Sequence, residues 1–299
     1  MKERVSQAGL YLRHKPVGPS SFSLVQSAMG ELQEAGSKLK VCHGGTLDPF
    51  AEGLLLLLVG PATKIFEHLH DAPKTYVAQV VWGVETDSGD GLGRTVKESS
   101  ADQLKADQLN AALAPFLGWT PQVPPPTSAK KIKGEPAYRR VHRGENVSLP
   151  PSRVYLHGAR WLSHQLPHAS TLELTCRGGF YVRSLVRDVG RALGCGAHVK
   201  TLARTAIGPW RDDAKERFCS GRDVLPWWPA RLLTDAEWGA VKKEASIPRG
   251  KPGTPAWRFP KGFPPAPPHA LGMHQGRVVA LLTDDGEVLS PSAVFPKGL

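Results

Sequence analysis

His43-Gly44-Gly45-Thr46-Leu47-Asp48-Pro49 lies just ahead of the unbroken apolar run Leu54-Leu55-Leu56-Leu57-Leu58-Val59. A short apolar run entered through a glycine turn reads as a buried strand. Gly44 and Gly45 carry no Cβ, so a second backbone or a flat ligand can approach them closely. Pro49 fixes its own φ and biases Asp48 away from the helical region. The chain therefore has to fold around a buried strand whose approach presents one pinned carboxylate beside a histidine. Such a carboxylate can act as a nucleophile or a base; an Asp-Pro pair equally suits a structural Asx turn.

Other segments frame that strand. Phe22, Val25, Met29 and Leu32 recur at helical spacing behind a Pro-Ser-Ser cap, which predicts a helix over 21–35. Residues 75–84 predict a strand, and Leu104, Leu109, Leu113 and Leu117 predict a helix over 101–117. Two strands are expected within 153–176. A helix is expected over 181–193, with Val182, Leu185, Val186, Val189 and Leu193 on one side and Arg183, Arg187 and Arg191 along one flank.

The span 121–152 has a different character. Prolines cluster at both its ends, and Lys130, Lys131, Lys133, Arg139, Arg140 and Arg143 crowd together with Glu135 as the nearby acid. It reads as an extended basic excursion, with Tyr138 offering an aromatic face beside phosphate-binding groups. Beyond residue 222 the composition shifts again. Residues 251–268 hold seven prolines, too many for a helix or a central strand. The stretch 277–289, turning at Asp285-Gly286, predicts a hairpin. The expected organisation is a large domain over 1–222, carrying the excursion, and a small β-rich module over 223–299.

The chain has 299 residues, 40% of them hydrophobic, enough for a sizeable core, which excludes global disorder. A net charge of +11 points to a polyphosphate partner. Cys42, Cys176, Cys195 and Cys219 show neither metal-type pair spacing nor a disulfide framework, as expected of reduced cytoplasmic thiols. Residues 1–15 hold no apolar stretch of signal-peptide length, and the leucine run is far too short to span a bilayer. A cytoplasmic protein without membrane attachment is expected. No GxxxxGK[ST] phosphate loop and no zinc spacing occurs.

Further blocks follow the aspartate loop: Gly60-Pro61-Ala62-Thr63-Lys64, Lys74-Thr75-Tyr76, Thr86-Asp87-Ser88-Gly89-Asp90, and Gln122 through Lys130. The series closes with Cys176, Gly179, Tyr181-Val182-Arg183-Ser184-Leu185 and Leu202-Ala203-Arg204-Thr205. In this order and at this spacing, across residues 15 to 208, the chain resembles the TruB family of tRNA pseudouridine synthases. The departures are Ser88 and Phe180, where the family usually has Thr, and Val141-His142, where it favours an Ala-Arg pair.

The resemblance implies an α/β (α+β) pseudouridine synthase fold: a central mixed, largely antiparallel sheet, flanking helices, and a small PUA-like C-terminal module. It implies isomerisation of the T-loop uridine of tRNA (uridine-55 in tRNA numbering) to pseudouridine. That reaction needs no cofactor or metal, and no obligatory protein partner is expected beside the tRNA T-arm stem-loop. Asp48 would be the catalytic aspartate; whether it attacks the base, attacks the sugar or removes a sugar proton stays open. Tyr76 would stack on uracil and take part in proton transfer at C5. Arg183 would pair with Asp48 and keep it ionised, and Leu202 would wall the uracil pocket. His43 would hold the flipped-out RNA, with Gly44, Gly45, Thr46 and Tyr181 around the substrate. Lys15, Lys64, Lys130 and Arg204 would add to the RNA-binding surface. Two rival readings share these features: a tRNA-folding RNA-binding module, and a guide-RNA-dependent synthase.

Overall fold

The computed structural model describes residues 5–213 and 216–299. Residues 1–4 of the stretch read for a leader lie outside it. The first half of the chain runs β1 (Gly9–Lys15), α1 (Ser21–Glu34), β2 (Val41–His43), β3 (Glu52–Val59), β4 (Lys74–Trp82), β5 (Val84–Thr86), β6 (Thr95–Glu98), α2 (Ala106–Leu113) and β7 (Gly118–Gln122). Then come β8 (Lys131–Ile132), β9 (Glu135–Pro136), α3 (Ala137–His142), β10 (Ser152–Gln165), β11 (Ala169–Cys176), α4 (Val182–Ala192), β12 (Ala197–Ile207), β13 (Trp210–Arg211) and β14 (Arg217–Cys219). The C-terminal part holds β15 (Ala230–Leu232), α5 (Asp235–Val241), β16 (Ile247–Pro248), β17 (His269–His274), β18 (Arg277–Asp284) and β19 (Val288–Val294).

The leucine run owes its uniformity to burial on both faces. Leu54, Leu56 and Leu58 pack with Leu10 and Leu12 on one side of the sheet. Leu55, Leu57 and Val59 pack with Tyr11 and with Val25, Ala28 and Leu32 of α1 on the other. A strand covered on both sides has no need of polar alternation. Helix α1 starts where the side chain of Ser20 accepts the backbone N–H of Ser23.

The main sheet has ten strands in the order β14-β1-β3-β12-β4-β11-β10-β7, with β13 on β12 and β2 on β3. Among the described strand pairings of this sheet only β12 with β3 is parallel. The mixed, largely antiparallel sheet is therefore as expected. Helices α2 and α4 cover one face, where Leu109, Leu185 and Val189 pack on Ala78, Val80, Leu172 and Leu174. A second, five-stranded sheet, β15-β17-β18-β19-β16, forms the β-rich C-terminal module. Its Leu271, Val278, Leu281 and Phe295 join Leu10, Leu54, Trp210 and Trp227 in one continuous core.

Two expectations are corrected, and two strands went unread. The helix read over 101–117 is shorter, because a turn occupies 101–105 and the chain passes into a 3-10 turn at Ala114–Phe116, with Pro115 in its first turn. The central strand β12 and the amino-terminal β1 were not legible as strands. The basic excursion is not simply extended: it folds as the β8–β9 hairpin followed by α3. Glu145 is a second acid there, and Arg143 pairs with both Glu135 and Glu145 while Arg140 pairs with Glu145. Lys131, Lys133 and Arg139 remain exposed.

Candidate active site

The Asp48 loop is tied down from several sides. Gly44 donates its N–H to the Leu56 carbonyl at 2.7 Å. A Cβ on Gly44 would meet Leu69 Cδ1 at 2.6 Å, and Gly45 sits at φ +138°, so both positions require glycine. Ser21 Oγ accepts the Leu47 N–H at 2.8 Å and donates to the Leu47 carbonyl at 3.0 Å. Arg204, 1% exposed on β12, donates to the carbonyls of Leu54, Thr46 and Gly45 at 2.8, 3.3 and 3.1 Å. Lys15, fully buried, donates to the carbonyls of Pro16, Pro19 and Pro49 at 2.8, 2.8 and 3.4 Å.

These contacts correct two sequence expectations. Lys15 and Arg204 add no exposed cationic surface, because both are buried and their cationic groups are spent on main-chain carbonyls of the loop and its neighbours, Arg204 at the wall of the cleft. Lys64 is exposed. Its ammonium donates to the Val294 carbonyl at 3.3 Å and lies 5.6 Å from the Phe295 ring, a bridge to the C-terminal module.

Arg183 enters from the first turn of α4. The start of that helix is fixed by Gln122, whose Oε1 accepts the Tyr181 N–H at 2.8 Å and whose Nε2 donates to the Tyr181 carbonyl at 3.1 Å. Arg183 Nε and Nη2 reach the two oxygens of Asp48 at 2.9 and 3.0 Å, a bidentate pair. Its Nη1 donates to the Ser88 carbonyl, Thr127 Oγ1 and Asp90 Oδ2 at 2.8, 2.8 and 3.2 Å. The guanidinium is 4% exposed, whereas the Asp48 side chain keeps 30% of its surface open to the cleft. Arg187 and Arg191, on the same helix, pair instead with Asp188 and Glu85.

The cleft is a cavity of about 340 Å³. Asp48, Tyr76, Arg183, His43, Gly44, Gly45, Thr46, Lys130, Tyr181, Leu202 and Arg204 all line it. Tyr76 and Arg204 are direct partners across β4 and β12, and Leu202 is opposite Ala78 on the same ladder. Lys130 Nζ donates to Ser152 Oγ at 3.0 Å at the rim. Asp90, Thr127 and Gln122, which hold Arg183 and its helix, were overlooked as functional positions, although all three fall inside the quoted blocks.

Burial shapes the electrostatics. Burial pushes the Asp48 carboxyl above the usual carboxylate value of 3.8, and the Arg183 guanidinium opposes that rise. Burial, then the Arg204 charge, lowers the pKa of His43, so its imidazole is neutral at pH 7; its Nδ1 is buried without a hydrogen-bond partner. Burial raises the Tyr76 phenol and brings Lys74 down to about 7. Lys74 donates to the Leu69 and Ala72 carbonyls at 2.8 and 3.0 Å on the cleft floor. Among the described residues no group of three or more His, Cys, Asp or Glu could hold a metal ion. No helix among them is long and apolar enough to cross a membrane.

Residues 33–182 match the model of the TruB family pseudouridylate synthase N-terminal domain, and residues 183–225 that of the tRNA pseudouridylate synthase B C-terminal domain. The tRNA pseudouridine synthase B of Xanthomonas campestris pv. campestris (strain 8004) is 43% identical over 204 residues, 68% of this chain and 64% of that protein. The chain thus spans less than two thirds of the length of that relative. The same-named protein of Bordetella avium is 42% identical over 207 residues, 69% of this chain and 83% of that one.

Among solved structures, a chain of a Cbf5-Nop10-Gar1 complex superposes with a TM-score of 0.67 at 21% identity, covering 97% of this chain and 85% of its own. A chain of an H/ACA RNP bound to a substrate RNA gives 0.66 at 19%, covering 96% and 84%. Those likenesses concern the fold. With half of the sequence, the aspartate loop included, matching the N-terminal model and the arginine of α4 opening the stretch matched by the C-terminal one, the chain belongs to the TruB family of pseudouridylate synthases.

Proposed function

We propose that this chain converts the T-loop uridine of tRNA to pseudouridine, with Asp48 as the catalytic group. The observation that carries the reading is the bidentate Arg183–Asp48 pair, buried on the arginine side and open to a cleft on the aspartate side. Pure RNA binding needs no such pair. The relatives' shared name supports the substrate class.

In this reading the glycosidic bond to N1 breaks, the freed uracil turns, and C5 bonds to the ribose; C5 gives up its proton and N1 ends protonated, so the atoms of uridine are conserved. Arg183 holds both carboxylate oxygens of Asp48 and so sets its orientation and favours its ionised state. Tyr76 supplies a ring face for the uracil and a hydroxyl near C5, and Leu202 excludes water from one wall. Neutral His43 offers a hydrogen-bonding nitrogen to the extruded nucleotide rather than a charge. A stacked uridine has to leave its stack to reach Asp48, at a cost of a few kcal/mol. The exposed Lys131, Lys133 and Arg139, with Lys130 at the rim, can offset that cost through phosphate contacts.

The test is Asp48→Asn in the full chain, assayed on a T-arm stem-loop transcript without added protein. Pseudouridine, measured by mass mapping of the RNA, should fall below detection while RNA affinity stays within about twofold of wild type, since the isosteric amide removes no cationic phosphate contact. Turnover at the wild-type rate in that variant would refute the assignment. A wild-type chain that acts only when a guide RNA or partner is added would favour the guide-dependent reading.

A further inference from the structure

The site's aromatic and cationic groups do not end at the cleft. At the free edge of the main sheet, Trp119 of β7 lies 44% exposed, an unusual state for the largest apolar side chain. The Arg153 guanidinium sits 4.8 Å from the centre of its ring, and that of Arg177 5.9 Å. Tyr155, opposite Trp119 across the ladder, packs its ring at 5.2 Å. Behind it, the proline-rich segment closes the patch: Phe263 meets Tyr155 edge-on at 5.5 Å, and the Tyr155 hydroxyl donates to the Gly262 carbonyl at 2.9 Å.

Arg177 joins this patch to the cleft. It pairs with Asp71, next to cleft-lining His70, and is followed directly by Gly178, whose N–H donates to the His70 carbonyl. Arg153 differs from it in having no carboxylate partner among the described residues. An exposed indole with an unneutralised guanidinium over its ring has two unmet demands, a flat surface to cover the ring and an anion for the cation. A nucleotide carries both groups at a fixed spacing. The chain's charge of +11 makes a negatively charged occupant the favoured one.

We propose that Trp119 and Arg153 form a second nucleotide subsite, which takes an RNA nucleotide other than the reacting uridine, its base on the indole and its phosphate on the guanidinium. The proposal rests on the RNA-modifying reading above and extends the RNA path from the cleft, past Arg177, to the edge strand. It assigns a role to three side chains that the chemistry at Asp48 leaves unused.

The experiment compares wild type, Trp119→Ala, Trp119→Phe and Arg153→Gln for binding and turnover of a full-length tRNA transcript. Trp119→Ala should weaken binding about tenfold, in the range of one base stacked on an aromatic ring, and Trp119→Phe should restore most of it. Arg153→Gln should weaken binding and lower the slope of log affinity against log salt by about one. Both losses should fall on KM rather than kcat. Ultraviolet cross-linking of wild type to the transcript should place RNA on the peptide containing Trp119, a readout independent of how well the variants fold. Unchanged affinity in Trp119→Ala and Arg153→Gln, or no cross-link at that peptide, overturns the subsite. So does a change in oligomeric state in place of a change in RNA affinity, which would make the patch a contact between copies. Because wild type is assayed alongside, loss of the subsite alone is distinguishable from failure of the functional reading, in which wild type neither binds nor modifies the transcript.

Discussion

One guanidinium, that of Arg183, holds both Asp48 and Asp90. Replacing it with Met leaves two carboxylates uncompensated, and the loss of stability should be about 3–5 kcal/mol, read from the urea midpoint. Lys in its place should rescue poorly, because a single ammonium cannot match the bidentate geometry. The pH dependence follows from the direction of the Asp48 shift. Burial raises its pKa, so a reaction that needs the carboxylate loses rate, as pH falls, at a pH above the usual 3.8. Arg183 works against that rise, so Arg183→Met should move the acid limb of the pH–rate profile to still higher pH. A limb that stays put would show that the titrating group is not Asp48. Asp48, Tyr76 and Arg183 were legible because each stands in a short, ordered block. Lys15 and Arg204 were misread for a physical reason. In a basic sequence nothing separates a cation aimed at phosphate from one that caps carbonyls of its own loop.

Strand β3 was legible because burial on both faces leaves an uninterrupted leucine signature. Strand β12 was not, because Lys200, Thr201, Arg204 and Thr205 interrupt its apolar residues, and the reason for Arg204 lies in a loop far away in sequence. The junction of these two strands depends on Gly53. It sits at φ +109°, opposite Arg204, and a Cβ there would lie 2.4 Å from the Arg204 carbonyl oxygen. Gly53→Ala should therefore cost on the order of 1–3 kcal/mol in a denaturant titration. It should also lower kcat, because a shifted β12 carries the Arg204 side chain away from Gly45 and Thr46. An unaltered midpoint and kcat would mean that the sheet relaxes freely at this point.

Across the whole molecule, the excess of cations is smaller where it counts than the sequence suggests, since Arg140, Arg143, Arg187 and Arg191 are already paired with acids. Even so, affinity for a tRNA transcript should fall steeply between low and physiological salt, because each neutralised phosphate releases counterions. A flat response would count against phosphate-led binding. The two sheets share a core, so the module that Lys64 reaches is packed onto the main sheet rather than tethered beside it. Ser21, Lys15 and Arg204 lash the Asp48 turn to α1, β1 and β12, so that turn is no moving jaw. What has to give way at encounter is the nucleic acid, and targets already loosened by a mismatch or a frayed stem should be served faster than well-knit ones.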